Sequence, residues 1–240
     1  YTPDNLVITF AGKTSDEQAL DLSTKYFGSL SGTKQREFEP LKEYGKDKVY
    51  LRTKKTEQSH LVIGVPSFGS QDDRHFAQKL LSIILGGNMS SRMFLNIREA
   101  KGMCYYIDSD VDSYLDAGSL STRAGIDQSR LDEAVKLIIN EYDQVALHGV
   151  LDEEIARAKS YMKGSIILSL EDTEDLAHFF GKQQLLYPNV RSVDEYIGMI
   201  EAVTKEDVDQ LAKDLLGHEN LRLAVIGNTD NKAGLESLLV

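Results

Sequence analysis

The chain has 240 residues, 41% of them hydrophobic, which is enough to bury one large core or two modest ones. Its net charge of −11 argues against nucleic acid as a partner, and a single cysteine excludes an internal disulfide and a cysteine-based zinc knuckle. No apolar run reaches the roughly 18 residues that span a bilayer, so we expect no membrane contact and a cytoplasmic location, with the periplasm and organelles as alternatives.

The apolar periodicity predicts strands first, then a block of helices, then a final strand. The predicted strands cover residues 6–10, 48–54, 59–66, 105–115, 119–125 and the stretch that ends at Gly227. The predicted helices cover residues 15–27, 72–85, 91–101 and 231–239, with others beginning at Asp127, Asp152, Thr173, Ser192 and Thr204. This order predicts an α+β fold, in which an antiparallel-rich mixed sheet carries helices packed on one face.

The first twelve residues resemble a segment near the end of the chain. Residues 1–12 align with residues 216–227, with Leu6 over Leu221, and each copy predicts a turn, a buried strand and a closing glycine. The offset (216 minus 1, or 215 residues) indicates an internally duplicated protein, although a strand followed by a helix also recurs by chance.

The repeat predicts a domain organisation. Residues 1–28 would be the last strand and helix of a preceding homologous domain, most of which would lie upstream. The segment 29–47, rich in glycine and charge, would be a linker, and residues 48–240 would form the C-terminal domain.

The spacing of the possible ligands does not match either of two common kinds of metal site. The five histidines are never three or four residues apart, so no helix presents a pair of imidazoles to a metal ion. Asp108, Asp110 and Asp112 match the opening of a calcium-binding EF-hand loop, but Ser113 and Ser119 stand where that loop needs glycine and glutamate. Alternation predicts a strand instead, whose acidic side is either a solvated face or a wall facing a cavity.

The densest group of candidate functional residues lies at a predicted helix-to-strand corner. Arg98 is near the end of the helix, and Tyr105 begins the strand seven residues later. A guanidinium and a phenol that meet there can donate hydrogen bonds to a peptide carbonyl or an oxyanion. Alternatively, Arg98 favours the helix C-terminus electrostatically and Tyr105 is a core aromatic, because strict alternation places Tyr105 on the same side as Ile107 and Val111.

This segment resembles the insulinase and pitrilysin family of zinc peptidases, which includes the mitochondrial processing peptidase. The matching residues are Leu-Gly-Gly-Asn-Met-Ser-Ser-Arg-Met-Phe at 85–94 and Ile-Arg-Glu-Ala-Lys-Gly-Met-Cys-Tyr at 97–105. Members are built from tandem domains that close over an unfolded peptide, and the first domain holds zinc on an H-x-x-E-H motif that this sequence lacks. The resemblance implies a processing-peptidase-like C-terminal domain without a cofactor of its own, with zinc in a missing N-terminal domain.

The resemblance also implies roles for individual residues. Arg98 and Tyr105 have the spacing of the arginine and tyrosine that bind substrate and steady the tetrahedral intermediate in active members. Gly86, Gly87 and Asn88 occupy the place of the substrate-handling glycine-rich loop of the processing-peptidase subunits, although the run is shorter here.

We therefore predict the C-terminal domain of a zinc metalloendopeptidase that forms half of a peptide-binding chamber and is inactive alone. Its expected partners are the zinc-bearing homologous domain or subunit and an extended peptide substrate, with a homodimer also allowed. Two alternatives remain open. One is a catalytically inactive family member that acts as a scaffold or partner subunit, and the other is a module that binds peptides at a sheet edge.

Overall fold

The chain divides into two compact units, each built from two stretches of sequence. The structure, a computed structural model, describes residues 1–34, 39–42 and 45–240. One unit, here called the helical unit, combines Tyr1–Pro40 with Tyr161–Met199. The other, here called the sheet unit, combines Leu41–Ser160 with Ile200–Val240.

The helices begin and end close to the predicted positions. In chain order they are α1 Asp16–Phe27, α2 His75–Gly86, α3 Leu131–His148, α4 Asp152–Ser169, α5 Thr173–Leu186, α6 Val193–Ala202, α7 Lys205–Leu215 and α8 Lys232–Ser237. Short 3-10 turns cover Pro3–Asn5 and Gln128–Arg130, and a π-helical segment covers Phe94–Glu99. Side-chain caps explain several starts: Ser15 and Thr204 each form a reciprocal capping box with the residue three positions on.

The sheet unit contains a five-stranded sheet. Its strands are β1 Val49–Thr53, β2 Gln58–Ser67, β3 Cys104–Ser113, β4 Gly118–Asp127 and β5 Arg222–Gly227, in the spatial order β1-β5-β2-β4-β3. Only the β1–β5 pair is parallel among these neighbours, and α2, α3 and α7 contact the sheet. The predicted α+β fold with an antiparallel-rich mixed sheet is therefore confirmed.

The helix-covered face of the sheet forms the core, where Leu61, Ile63 and Leu120 are fully buried. A chain of hydroxyl groups crosses this core. The Tyr142 hydroxyl of α3 donates to the Ile63 carbonyl at 3.2 Å and lies 2.8 Å from the Thr122 hydroxyl of β4. Burial raises the pKa of Tyr142, so the phenol stays neutral and keeps its proton for the carbonyl.

The helical unit contains α1, α5 and the adjoining parts of α4 and α6. Among its described residues only Gln183 is buried, and the Gln183 amide bonds the backbone of Arg191. Residues 6–10, predicted as a strand, pair with no strand in the described part of the chain. Leu6 has extended backbone angles, but a strand also needs a neighbouring edge to pair with.

Candidate functional site

The candidate site begins in the helical turn that carries Arg98. The π-helical segment closes with the Ala100 amide bonded to the Leu95 carbonyl, five residues back, and the buried Ile97 anchors it to the core. π-Helical turns are rare and are often found at functional sites. The Arg98 side chain is exposed, and its guanidinium carbon lies 4.8 Å from the centre of the Phe94 ring. Arg98 is therefore supported by an aromatic face and open to a ligand.

A β-bulge at the start of β3 exposes Tyr105. Cys104 pairs with Ile126 and Tyr106 pairs with Gly125, so two residues of β3 span one step of β4 and Tyr105 is the extra one. Strict alternation would have placed Tyr105 with the buried Ile107, whereas the bulge leaves the Tyr105 side chain 66% exposed. The interpretation of Tyr105 as a core aromatic is wrong for this reason.

Tyr106, which was not among the predicted site residues, lies on the face of the sheet that the helices leave open. Its ring lies over Gly125, and its hydroxyl is 3.1 Å from Nδ1 of His60 on β2. Burial raises the pKa of Tyr106, and the neighbouring Asp108 raises it further. The signal for this cluster was available as two consecutive tyrosines and a glycine inside a strand pattern, but it needs the strand register to be interpreted.

A cavity of about 470 Å³ lies on the same open face. Its floor is mostly apolar because Tyr50, Val62 and Ala224 project from three neighbouring strands. Gly64 also lines it, and a Cβ there would overlap the carbonyl of Leu120. The floor can therefore accept an apolar side chain.

The acidic row of β3 lies along one side of this open face. Asp108 is paired with Arg123 of the adjacent strand, which raises the pKa of the arginine. Asp110 lies 3.5 Å from the amine of Lys79 and is largely exposed, and Asp112 lines the cavity. Asp112 therefore has the position of an acidic wall, whereas Asp108 is neutralised by its neighbour.

The segment of Gly86, Gly87 and Asn88 makes the turn after α2. Gly86 is buried, and a Cβ there would overlap Ser109 of β3, so helix packing by itself requires this glycine. Gly87 caps the helix, and the Asn88 side chain accepts a hydrogen bond from the Ser90 amide at 2.8 Å. The substrate-handling role of these residues stays a prediction.

The described residues do not fit a zinc ion. Within residues 1–34, 39–42 and 45–240, no group of three or more His, Cys, Asp or Glu side chains is placed to hold a metal. Cys104 lies half-buried near Arg98; burial raises the pKa of its thiol, which the arginine charge partly opposes. Every helix in these ranges is too short or too polar to cross a membrane.

Comparison with known proteins gives one family match. The family described as "Peptidase M16 inactive domain" matches residues 1–162. An uncharacterized zinc protease of Streptomyces coelicolor is 34% identical over 97% of this chain and 52% of its own length, and one of Bacillus subtilis is 35% identical over 96% and 56%.

A solved structure has the same fold. The crystal structure of a peptidase M16 inactive domain from Pseudomonas fluorescens superimposes with a TM-score of 0.81 and 19% identity, covering 91% of this chain and 52% of that one. The chain thus spans about half the length of the curated relatives it matches.

Proposed function

The chain belongs to the peptidase M16 family, whose inactive domain it represents, and we propose that it forms one wall of a peptide-binding chamber in a zinc metalloendopeptidase. This membership agrees with the insulinase and pitrilysin resemblance of the central segment. The zinc and its activated water would belong to a homologous domain or subunit, since the described residues of this chain offer no metal site.

The observation that carries the proposal is the exposure of Arg98 and Tyr105 at the two ends of one short connection. Each has an unusual backbone feature beneath it, the π-helical turn under Arg98 and the bulge at Tyr105. Both side chains are hydrogen-bond donors, and neither donates to another described residue. They are therefore free to donate to a peptide carbonyl, whose oxygen gains negative charge in the tetrahedral intermediate.

The open face of the sheet would be the wall that the peptide meets. Its apolar cavity suits an uncharged side chain of an extended peptide, and Asp112 suits a basic residue beside it. The turn of Gly86, Gly87 and Asn88 lies on the helix-covered side of the sheet, where Gly86 packs against Ser109, so its substrate-handling role would need a peptide contact separate from the cavity.

The exposure of the helical unit is a second argument for a partner domain. With Gln183 as the one buried residue among those described in this unit, its apolar side chains need cover from elsewhere. The preceding zinc-bearing domain would supply that cover, and residues 6–10 would pair with its sheet as β5 pairs within the sheet unit. In this arrangement residues 1–28 would complete the preceding domain and residues 29–47, of which 35–38 and 43–44 lie outside the described residues, would link it to the rest.

The test is turnover of a quenched peptide by the assembly of this chain with its zinc-bearing half. Removing one donor from an oxyanion typically costs roughly 2.7–4 kcal/mol in the transition state, so Arg98→Ala and Tyr105→Phe should each lower kcat on the order of a hundredfold. Both side chains are exposed, so the melting temperature should hardly change.

Matched controls are Arg157→Ala and Tyr114→Phe, which are also exposed. They should leave kcat within about twofold, because surface substitutions away from a site cost little. Normal turnover in both site variants would reject the catalytic role and favour a scaffold or partner subunit. Zinc bound by the isolated chain at one ion per molecule, with peptidase activity, would reject the division of labour.

A further inference from the structure

Tyr106 reaches across a neighbouring strand to touch the next one. It belongs to β3, its ring lies over Gly125 of β4, and its hydroxyl is 3.1 Å from Nδ1 of His60 on β2. Adjacent strands are about 4.8 Å apart, so a side chain that contacts the second strand along must lie flat over the first. The Tyr106 and His60 rings are nearly parallel, with an angle of 23° between their planes.

Gly125 is what allows this crossing. A Cβ at this position would come within 2.5 Å of Cε1 of Tyr106. Any larger residue would push the ring off the sheet and break its contact with His60. Glycine weakens a strand interior, and a flat aromatic ring over it restores the lost contact. The need for glycine at position 125 therefore comes from the ring of Tyr106.

The crossing fixes the strand register immediately after the bulge. Tyr106 is the first residue of β3 that pairs regularly after Cys104, and the residue between them, Tyr105, has no partner position on β4. A slip by one residue would move each side chain to the opposite face of the sheet. The ring of Tyr106 opposes such a slip, because a slip would take the ring away from Gly125 and break its contact with His60.

We propose that Tyr106, Gly125 and His60 form a positioning device for Tyr105, in which the ring of Tyr106 holds the bulge in register and so keeps the Tyr105 hydroxyl aimed at the substrate. This role rests on the proposed contact between Tyr105 and the peptide. Tyr106 is a positioning residue here and makes no contact with reacting atoms.

The experiment is a double-mutant cycle in the assembly with the zinc-bearing half, measuring kcat and KM on one peptide. Gly125→Ala displaces the ring and should lower kcat on the order of tenfold to a hundredfold, as misplacement of a catalytic group by about 1 Å does. In a Tyr105→Phe background the same substitution should have no further effect. Gly164→Ala, at a helical glycine with open space around it, is the matched control and should be silent.

Two substitutions of Tyr106 guard against a folding artefact. Tyr106→Phe keeps the ring over Gly125 and should retain most of kcat, whereas Tyr106→Leu removes the ring and should reproduce the loss seen with Gly125→Ala. KM should change less than kcat in both active and impaired variants, because the device aims one donor and does not bind the peptide.

The outcomes separate the two proposals. If Tyr105→Phe lowers kcat as expected while Gly125→Ala and Tyr106→Leu leave kcat unchanged, the positioning role is overturned and the proposed function is not. Losses that multiply in the double variant overturn the positioning role as well, because they mean independent effects. Normal turnover in Tyr105→Phe overturns the positioning role together with the contact between Tyr105 and the peptide on which it rests, whereas rejection of the whole proposed function also needs normal turnover in Arg98→Ala.

Discussion

The two units of the chain differ in what holds them together. The sheet unit buries Ile63, Leu80 and Tyr142 completely between its sheet and helices. The helical unit has well-formed helices with side-chain caps, but Gln183 is its one buried side chain among the described residues. Side-chain caps mark where these helices begin, but helices of this length are marginal alone, and a stable unit also needs apolar surface to be removed from water.

The largest expected difference between the units is in local stability. In the isolated chain, amides of β2 and β4 should exchange with solvent only on global unfolding, which typically requires about 5–15 kcal/mol. Amides of α1 and α5 should exchange with little protection, because few buried contacts oppose their opening. Hydrogen exchange read by mass spectrometry measures both sets of peptides in one sample.

Adding the zinc-bearing half sharpens the comparison. Protection should then rise in α1 and leave β2 and β4 unchanged. Equal protection of the two units in the isolated chain would show that the helical unit is stable alone and would remove this argument for a partner domain.

A smaller difference is expected from truncating one apolar side chain in each unit. Ile63→Ala removes a fully buried side chain and should lower the free energy of unfolding by about 2–5 kcal/mol. Leu20→Ala, on the exposed surface of α1, should change it by less than about 0.5 kcal/mol in the isolated chain. Urea denaturation followed by circular dichroism gives both values. Similar losses of unfolding free energy in the two variants would contradict the difference in burial between the units.

The smallest expected difference concerns pH. Burial alone would raise the pKa of Glu154 in the sheet unit, but hydrogen bonds from Arg92 and the Leu151 amide outweigh it and lower the pKa. A carboxyl with a lowered folded-state pKa stabilises above its unfolded pKa, roughly 4.3, and this stability is lost as the pH falls through the folded value.

Glu154→Gln should therefore lower the free energy of unfolding by about 1–3 kcal/mol at pH 7. Because glutamine does not titrate, the variant should also lose less stability than the unmodified chain when the pH falls below 5. Glu195→Gln in the helical unit is the comparison, because Ser192 lowers the pKa of Glu195 at a fully exposed site. Its melting temperature should follow the unmodified chain across the pH range. A Glu154→Gln profile parallel to that of the unmodified chain would contradict the assignment of Glu154.

Much of the fold followed from periodicity, and the exceptions have physical causes. The hairpin of β3 and β4 and the long helix α3 were predicted because alternation and 3.6-residue spacing are local properties of sequence. Residues 6–10 have the same local pattern but no neighbouring strand among the described residues. The π-helical turn at Phe94–Glu99 could not be predicted, because a segment of 6 residues is too short to show the shift in apolar spacing that an inserted residue causes.

The site was predicted less completely than the fold. Arg98 and Tyr105 were found through their spacing, but alternation assigned Tyr105 to the wrong side until the bulge was known. The contact of Tyr106 with His60 depends on register between strands far apart in sequence, which no local pattern contains. Their joint action on a substrate stays a prediction.

The bulge has a consequence for how this protein can change. Tyr105 is the residue that the pairing of β3 with β4 does not use, since Cys104 and Tyr106 already occupy consecutive positions along the ladder. We therefore expect a change of side chain at position 105 to leave the β3–β4 pairs in place, because Tyr105 belongs to none of them. Natural or laboratory selection can therefore try different side chains at position 105 while the fold around it is kept.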